Sequence, residues 1–156
     1  MILEAAGFEV TYLRPAGDPP DCEGMLNRQL CAVEVTRLTH EKVRARNMKA
    51  IKEQAAGREP KEPEAYYLWD RDDLITALKE RIEEKDGDVV RYKGGPYERK
   101  ILVIHTDEFV FKAATVTKFL EDATFPARRL TDVVLGLSYE PRVTGYPTFQ
   151  LSLSQA

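Results

Sequence analysis

Asp21-Cys-Glu-Gly-Met-Leu-Asn-Arg-Gln-Leu-Cys-Ala-Val-Glu-Val-Thr-Arg37 is the stretch that decides how this chain folds. Its second part, Leu30 to Leu38, is rich in β-branched and apolar residues, as a strand requires. Asp21 to Met25 reads as the partner arm, and the polar residues around Asn27 and Arg28 make the turn. A loop of two or four residues centred there sets Leu26 against Gln29 and carries the pairing back to Asp21 opposite Glu34. Facing residues of an antiparallel pair share a face, with Cβ atoms roughly 4.5–5.5 Å apart. An odd loop would send the two acids to opposite faces, and Asn-Arg is not the Asn-Gly pair that two-residue hairpins favour.

Glu34 stands between Val33 and Val35 in the middle of the apolar arm, so its charge needs a partner. Two carboxylates side by side repel unless a cation or a shared proton sits between them. Oxygen-only ligands favour a hard cation such as Mg²⁺. The alternative is plainer: Asp21 is a solvated strand-entry residue after Pro19-Pro20, and Glu34 pairs with a neighbouring Arg.

Pro20-Asp21 and Glu34-Val35-Thr36 together resemble the core of the PD-(D/E)XK nuclease superfamily. There an Asp, often preceded by Pro, lies on one strand and an acidic-x-Lys tripeptide on the next. The elements that follow, a mostly helical crossover and a buried strand at Ile101 to Thr106, agree in order to about residue 107. The resemblance implies an α/β fold, a restriction-endonuclease-like mixed sheet flanked by helices, built as a single domain over residues 1–156. It implies metal-dependent hydrolysis of phosphodiesters in nucleic acid, with Mg²⁺ or Mn²⁺ held by Asp21, Glu34 and the carbonyl of Val35.

Thr36 departs from that pattern. In the family the lysine helps to position and activate the attacking water, and threonine carries no charge. Lys85 is the replacement the sequence offers. Leu74, Ile75, Leu78 and Ile82 form an apolar stripe on a helix, and Lys85 continues it three residues after Ile82, which turns it toward the sheet. The alternative is a lysine that snorkels at a helix C-terminus. Asp21, Glu34 and Lys85 are therefore the candidate catalytic residues. Without a cation at the acids, the reading becomes a non-catalytic module that keeps the fold and binds nucleic acid or a protein. An unrelated α/β domain with a salt-bridged Glu34 is a third possibility. The start of the chain departs too. The family opens with a helix, whereas Met1-Ile-Leu-Glu-Ala-Ala-Gly7 looks like one final turn, so the resemblance implies a fragment or an upstream start. Glu4 lies on that turn, where some relatives carry an acid near the metal.

The 156 residues suit one domain with a real core, and 43% hydrophobic with 31% charged residues fits a soluble globular protein. No apolar run approaches the ~20 residues of a membrane span, and the N-terminus lacks the regions of a secretory signal. Cys22 and Cys31 are not opposite in the expected pairing, so a disulfide is not expected and a reducing cytoplasm is the simplest home. His40 and His105 do not complete a zinc motif with them. A net charge of −3 does not advertise nucleic-acid binding, but residues 37–58 carry seven Lys/Arg against two Glu. Arg37, Lys42, Arg44, Arg46 and Lys49 are the candidates for tracking a phosphate backbone. The alternative is a solvated helix face. Residues 59–88 are acidic, with eleven acids against five bases.

The remaining elements follow from punctuation and period. Phe8 to Arg14 reads as the first strand and residues 14–20 as a Pro/Gly loop. A helix from about His40 to Ala56, capped by Thr39 and ended by Gly57, has a narrow stripe of Val43, Met48, Ile51 and Ala55. Residues 57–65 read as a linker. The second helix starts near Asp70 or Asp72 and stops at Gly87, and Gly94-Gly95-Pro96 is a turn. Ile101 to Ile104 reads as a strand buried on both faces. Asp107 or Glu108 beyond it is either a further metal ligand or an ordinary loop-entry acid. Val116 to Glu121 is a short helix, and Val133 to Tyr139 and Thr148 to Leu153 are strands around a Pro141/Gly145 loop. Tyr66, Tyr67 and Trp69 either stack on bases or pack in a core.

Overall fold

The decisive hairpin closes through Asn27 and Arg28, which take φ of 50° and 62°. Two consecutive positive φ values give the turn whose twist matches that of the flanking strands. Asparagine adopts this conformation readily, and here its side chain also accepts a bond from Glu9 N at 2.8 Å while its own N–H bonds Glu9 O at 2.9 Å. Those two bonds substitute for the glycine that the sequence lacks. Strand β2 (Cys22–Leu26) then pairs antiparallel with β3 (Gln29–Arg37), Leu26 opposite Gln29 and Cys22 opposite Val33. The structure, a computed structural model, describes residues 1–60, 68–108, 110–138 and 145–155, and for residues 41–43 the backbone alone.

The described residues form two compact units, one of residues 1–38 and 70–156, the other of residues 39–69. The first holds a mixed six-stranded sheet. Strand β1 (Val10–Pro15) lies at one edge beside β2. Beyond β3 come β4 (Arg99–Thr106), parallel to β3, then β6 (Asp132–Leu137), parallel to β4, and β7 (Thr148–Gln150), antiparallel to β6 at the far edge. Between β4 and β6 lies a short strand β5 (Phe125–Ala127), which pairs with β8 (Leu153–Gln155) in a small separate sheet. The α/β class with a mixed sheet is as the sequence led one to expect, with the hairpin antiparallel and the strand at 101–106 in the middle. Ile101, Leu102 and Ile104 are fully buried, each worth about 1.5–3 kcal/mol of burial.

Side chains alternate across the sheet, and each face has its own cover. Val33, Val103 and Val134 pack against Leu3 and Phe8, so the short helix α1 (Ile2–Ala5) lies on that face. It ends at Gly7 with a φ of 93°, as the sequence indicated. Glu34, Leu102 and Ile104 point the other way. That side is reached by the C-terminal turn of α3 (Arg71–Asp88), since Lys85 bonds Glu34. Helix α3 is capped by Asp70, whose carboxylate accepts from Asp73 N while the Asp73 carboxylate accepts from Asp70 N. That reciprocal cap fixes the first turn. Leu74, Leu78 and Ile82 are wholly buried and Ile75 partly so.

Several boundaries differ from the sequence reading. Gly87 does not stop α3; the helix runs to Asp88 and continues as a single 3₁₀ turn, Val89–Arg91, because Val89 is drawn into the core. The first strand starts at Val10 because Phe8 bonds back to Leu3 O at 3.0 Å. The short helix α4 starts earlier, at Ala113, and ends at Leu120. Thr148 to Leu153 is two strands in two sheets: Leu151 N still bonds Val133 O, while Ser152 O already accepts from Phe125 N, both at 2.9 Å.

In the second unit, helix α2 (Glu41–Ala55) ends before Gly57, φ 74°. Its expected stripe is not the buried face: Met48 and Ile51 are exposed and Ala50 is buried. With so few apolar positions among so many charges, the period gave a weak direction. Trp69 meets His40 edge-on, ring centroids 5.8 Å apart. Tyr66, Tyr67, Tyr139, Pro141, most of the 57–65 linker and the side chains of Lys42 and Val43 lie outside the described residues. Among the described residues no helix is long and apolar enough to cross a membrane.

Candidate active site

Continuing the β2–β3 register by one residue sets Asp21 opposite Glu34, on the face turned toward α3. The two residues are tied by main-chain bonds in both directions. Asp21 N donates to Glu34 Oε2 at 3.2 Å, and Val35 N donates to Asp21 Oδ2 at 2.7 Å. Asp21 Oδ1 has no donor among the described residues. Glu34 is only 4% exposed.

Lys85 supplies the cation. Its Nζ lies 2.9 Å from Glu34 Oε1 and 3.8 Å from Asp88 Oδ2. Asp88 in turn takes an ion pair from Arg91, whose side chain is exposed. A chain of alternating charge thus runs from buried Glu34 outward through Lys85 and Asp88 to Arg91. Burial works against the Lys85 ammonium. The hydrogen bond and charge of Glu34, with Asp88 and Glu84, outweigh that, and its pKa lies above the ordinary lysine value. Lys85 is therefore a fixed positive charge at neutral pH.

Thr36 sits two residues along β3 on the same face as Glu34 and is half-buried. The position where the motif expects lysine is thus a hydroxyl, and the ammonium arrives from α3. Arg37 pairs with Asp107 across β3 and β4, and that pairing holds the Asp107 carboxyl below its usual range, against the effect of its burial. Asp107 is therefore engaged as an ion-pair partner. Glu4 lies on α1, which covers the opposite face of the sheet from Glu34, and its carboxylate pairs with the N-terminal amine at 3.6 Å. Arg44, Arg46 and Lys49 lie on α2 in the second unit, and all three are exposed. Cys22 and Cys31 are free thiols, opposite Val33 and Gly24.

Among the described residues no group of three or more His, Cys, Asp or Glu is arranged to hold a metal. A two-carboxylate set excludes a closed zinc-type centre. It suits Mg²⁺ or Mn²⁺, since Mg²⁺ keeps several waters and is bound through one or two carboxylates. The donor-free Asp21 Oδ1 is the oxygen that such an ion would take.

Three residues beside the site were not singled out from the sequence. Asp88 was findable, because it follows Lys85 by three on the same helix face. Asp86 was findable as the position four residues after Ile82 in the stripe, and Tyr92 carried no signal. Asp86 is a buried acid whose carboxylate accepts the N–H groups of Arg128, Arg129 and Leu130. Tyr92 follows the 3₁₀ turn, where no helical period applies, and its buried hydroxyl has no partner among the described residues. No family model, curated protein or solved structure matches the chain.

Proposed function

We propose that this protein is a metal-dependent phosphodiester hydrolase of the nuclease type, acting on nucleic acid, with a restriction-endonuclease-like arrangement of its sheet. The observation that carries the reading is the approach of Lys85 Nζ to 2.9 Å from Glu34. It returns a cation to a motif that Thr36 leaves without one. Asp21, Glu34 and the carbonyl of Val35 would hold Mg²⁺ or Mn²⁺, which when bound supplies electrostatic stabilisation to a phosphoryl oxygen. Glu34 orients Lys85, and Lys85 orients the attacking water and offsets developing negative charge. Calorimetry with Mn²⁺ tests this. Wild type should bind, and Asp21→Asn should weaken binding by about tenfold or more. Equal binding by the two proteins, or none by either, removes the metal site and the hydrolase with it.

One observation favours a second reading, a non-catalytic module that binds nucleic acid or a protein. Both Glu34 oxygens already have protein donors, Lys85 Nζ and Asp21 N, so the carboxylate is satisfied without an ion. The two readings share a basic segment and differ in the Mn²⁺ result. If residues 37–58 hold phosphates, affinity for a nucleic acid should fall steeply with salt. Neutralising Arg44, Arg46 and Lys49 should then flatten the log–log slope by about 0.7–0.9 per lost contact. Binding that ignores salt would leave α2 as a solvated face.

A further inference from the structure

Tyr92 is the one feature beside the acids that neither the fold nor the ion pairs explain. It is the first residue after the 3₁₀ turn, its N–H closing that turn on Val89 O at 3.1 Å. The side chain is only partly buried, yet its hydroxyl oxygen is fully buried and bonds nothing among the described residues. Buried hydroxyls are nearly always hydrogen-bonded, and an exception at a site points to a ligand.

Its chain neighbours fix where it stands. On one side Arg91 pairs with Asp88, whose other oxygen faces Lys85. On the other side Lys93 N bonds Pro19 O at 3.0 Å and Lys93 Nζ bonds Asp18 O at 3.4 Å, which ties this segment to the loop leading into Asp21. Tyr92 is thus held between the Lys85 end and the Asp21 end of the site. Burial and then the charges of Glu34, Asp88, Asp21 and Asp86 push its phenol far above the usual tyrosine value, so it stays a protonated donor.

We propose that Tyr92 is a substrate-binding residue, its hydroxyl donating to a non-bridging oxygen of a phosphodiester bound against Asp21, Glu34 and Lys85. This rests on the hydrolase reading above. The chemistry suits a phosphodiester in particular. The two acids repel an anion, and a neutral phenol adds a donor without adding charge. A phosphodiester oxygen is a strong acceptor that lies beside whatever offsets the carboxylates.

Tyr92→Phe keeps the ring and deletes only the oxygen. Mn²⁺ affinity is measured by calorimetry on both proteins. Affinity for a labelled DNA oligonucleotide and an RNA of the same sequence is measured by anisotropy, with Ca²⁺ present. The expected result is unchanged Mn²⁺ binding, an unchanged or higher melting temperature, and about tenfold weaker binding of at least one oligonucleotide. Oligonucleotide affinities within about twofold of wild type would overturn the proposal, leaving the hydrolase reading in place. A clear fall in melting temperature would also overturn it, by showing the hydroxyl bound within the fold. A wild type that binds Mn²⁺ but neither oligonucleotide overturns it too. A wild type that binds no Mn²⁺ defeats the hydrolase reading and this proposal together.

Discussion

Lys85→Met should destabilise the protein by about 3 kcal/mol and abolish metal-dependent cleavage. The stability loss follows from burial: Glu34 is almost inaccessible, and removing Lys85 leaves it charged with one main-chain donor. Breaking a buried pair from one side typically costs about 3–5 kcal/mol. The lower end applies here because the Lys85 side chain is 18% exposed and water can reach its vacated place. Adding Glu34→Gln to Lys85→Met removes the stranded charge, so the double variant should recover to within about 1 kcal/mol of wild type. Urea unfolding of wild type, Lys85→Met, Glu34→Gln and the double variant measures this. A double variant no more stable than Lys85→Met would mean that the loss does not come from the stranded Glu34 charge.

The sign of the pH dependence follows from the same contact. A lysine whose folded pKa is raised contributes stability that is fully present below its unfolded value of about 10.4 and is lost as pH rises through the folded value. Lys85 is raised. The gap between wild type and Lys85→Met should therefore hold from neutral pH up to about 10 and close above it. Cleavage gives a separate readout. The double variant should be folded but inactive, with rates at least about 10²-fold below wild type. Cleavage that survives Lys85→Met would deny the lysine its role and require another group to offset the developing charge.

The hairpin and Lys85 were legible in the sequence because each rests on a short, local rule. Alternation fixes the β3 faces once the turn is centred, and Asn27 and Arg28 accept the required positive φ. The stripe of Leu74, Leu78 and Ile82 aims Lys85 at the sheet because three residues on a helix turn it by little. Longer-range features were not legible. β5 and β8 are three residues each, β5 carries Pro126 at its centre, and they are joined only through the folded chain. Exposed Met48 and Ile51 show the reverse failure, a period present in the letters with no core behind it. The opposition of Asp21 and Glu34 was legible as a motif, but Lys85, which pairs with Glu34, lies 51 positions away, where only the helical stripe points to it.

Asp86→Ala should cost about 3–4 kcal/mol of stability. Asp86 occupies the next buried position of the α3 stripe after Ile82, where an apolar side chain would be the ordinary choice. Its carboxylate instead gathers the loop that enters β6. Oδ1 accepts from Arg129 N and Leu130 N at 2.8 Å each, and Arg128 N lies within reach of both oxygens at 3.1 and 3.2 Å. Hydrogen bonds to a charged acceptor contribute about 1.5–3 kcal/mol each, and a buried N–H left unpaired costs about 1–3. These losses share one acceptor and do not add, which keeps the total near the upper end of single-residue effects. Asp86→Asn keeps an oxygen for Arg129 and Leu130 but turns an NH₂ toward Arg128, so it should lose about half as much. Amide exchange at Arg128, Arg129 and Leu130 should accelerate in step with these losses. Because Asp86 and Lys85 share one helical turn, loosening this clasp should also weaken the Lys85–Glu34 contact. The combination of Asp86→Ala with Lys85→Met should then cost less than the sum of the two. Additive losses would show that the clasp and the site are independent, and an Asp86→Ala protein within about 0.5 kcal/mol of wild type would show that water replaces the carboxylate at the loop.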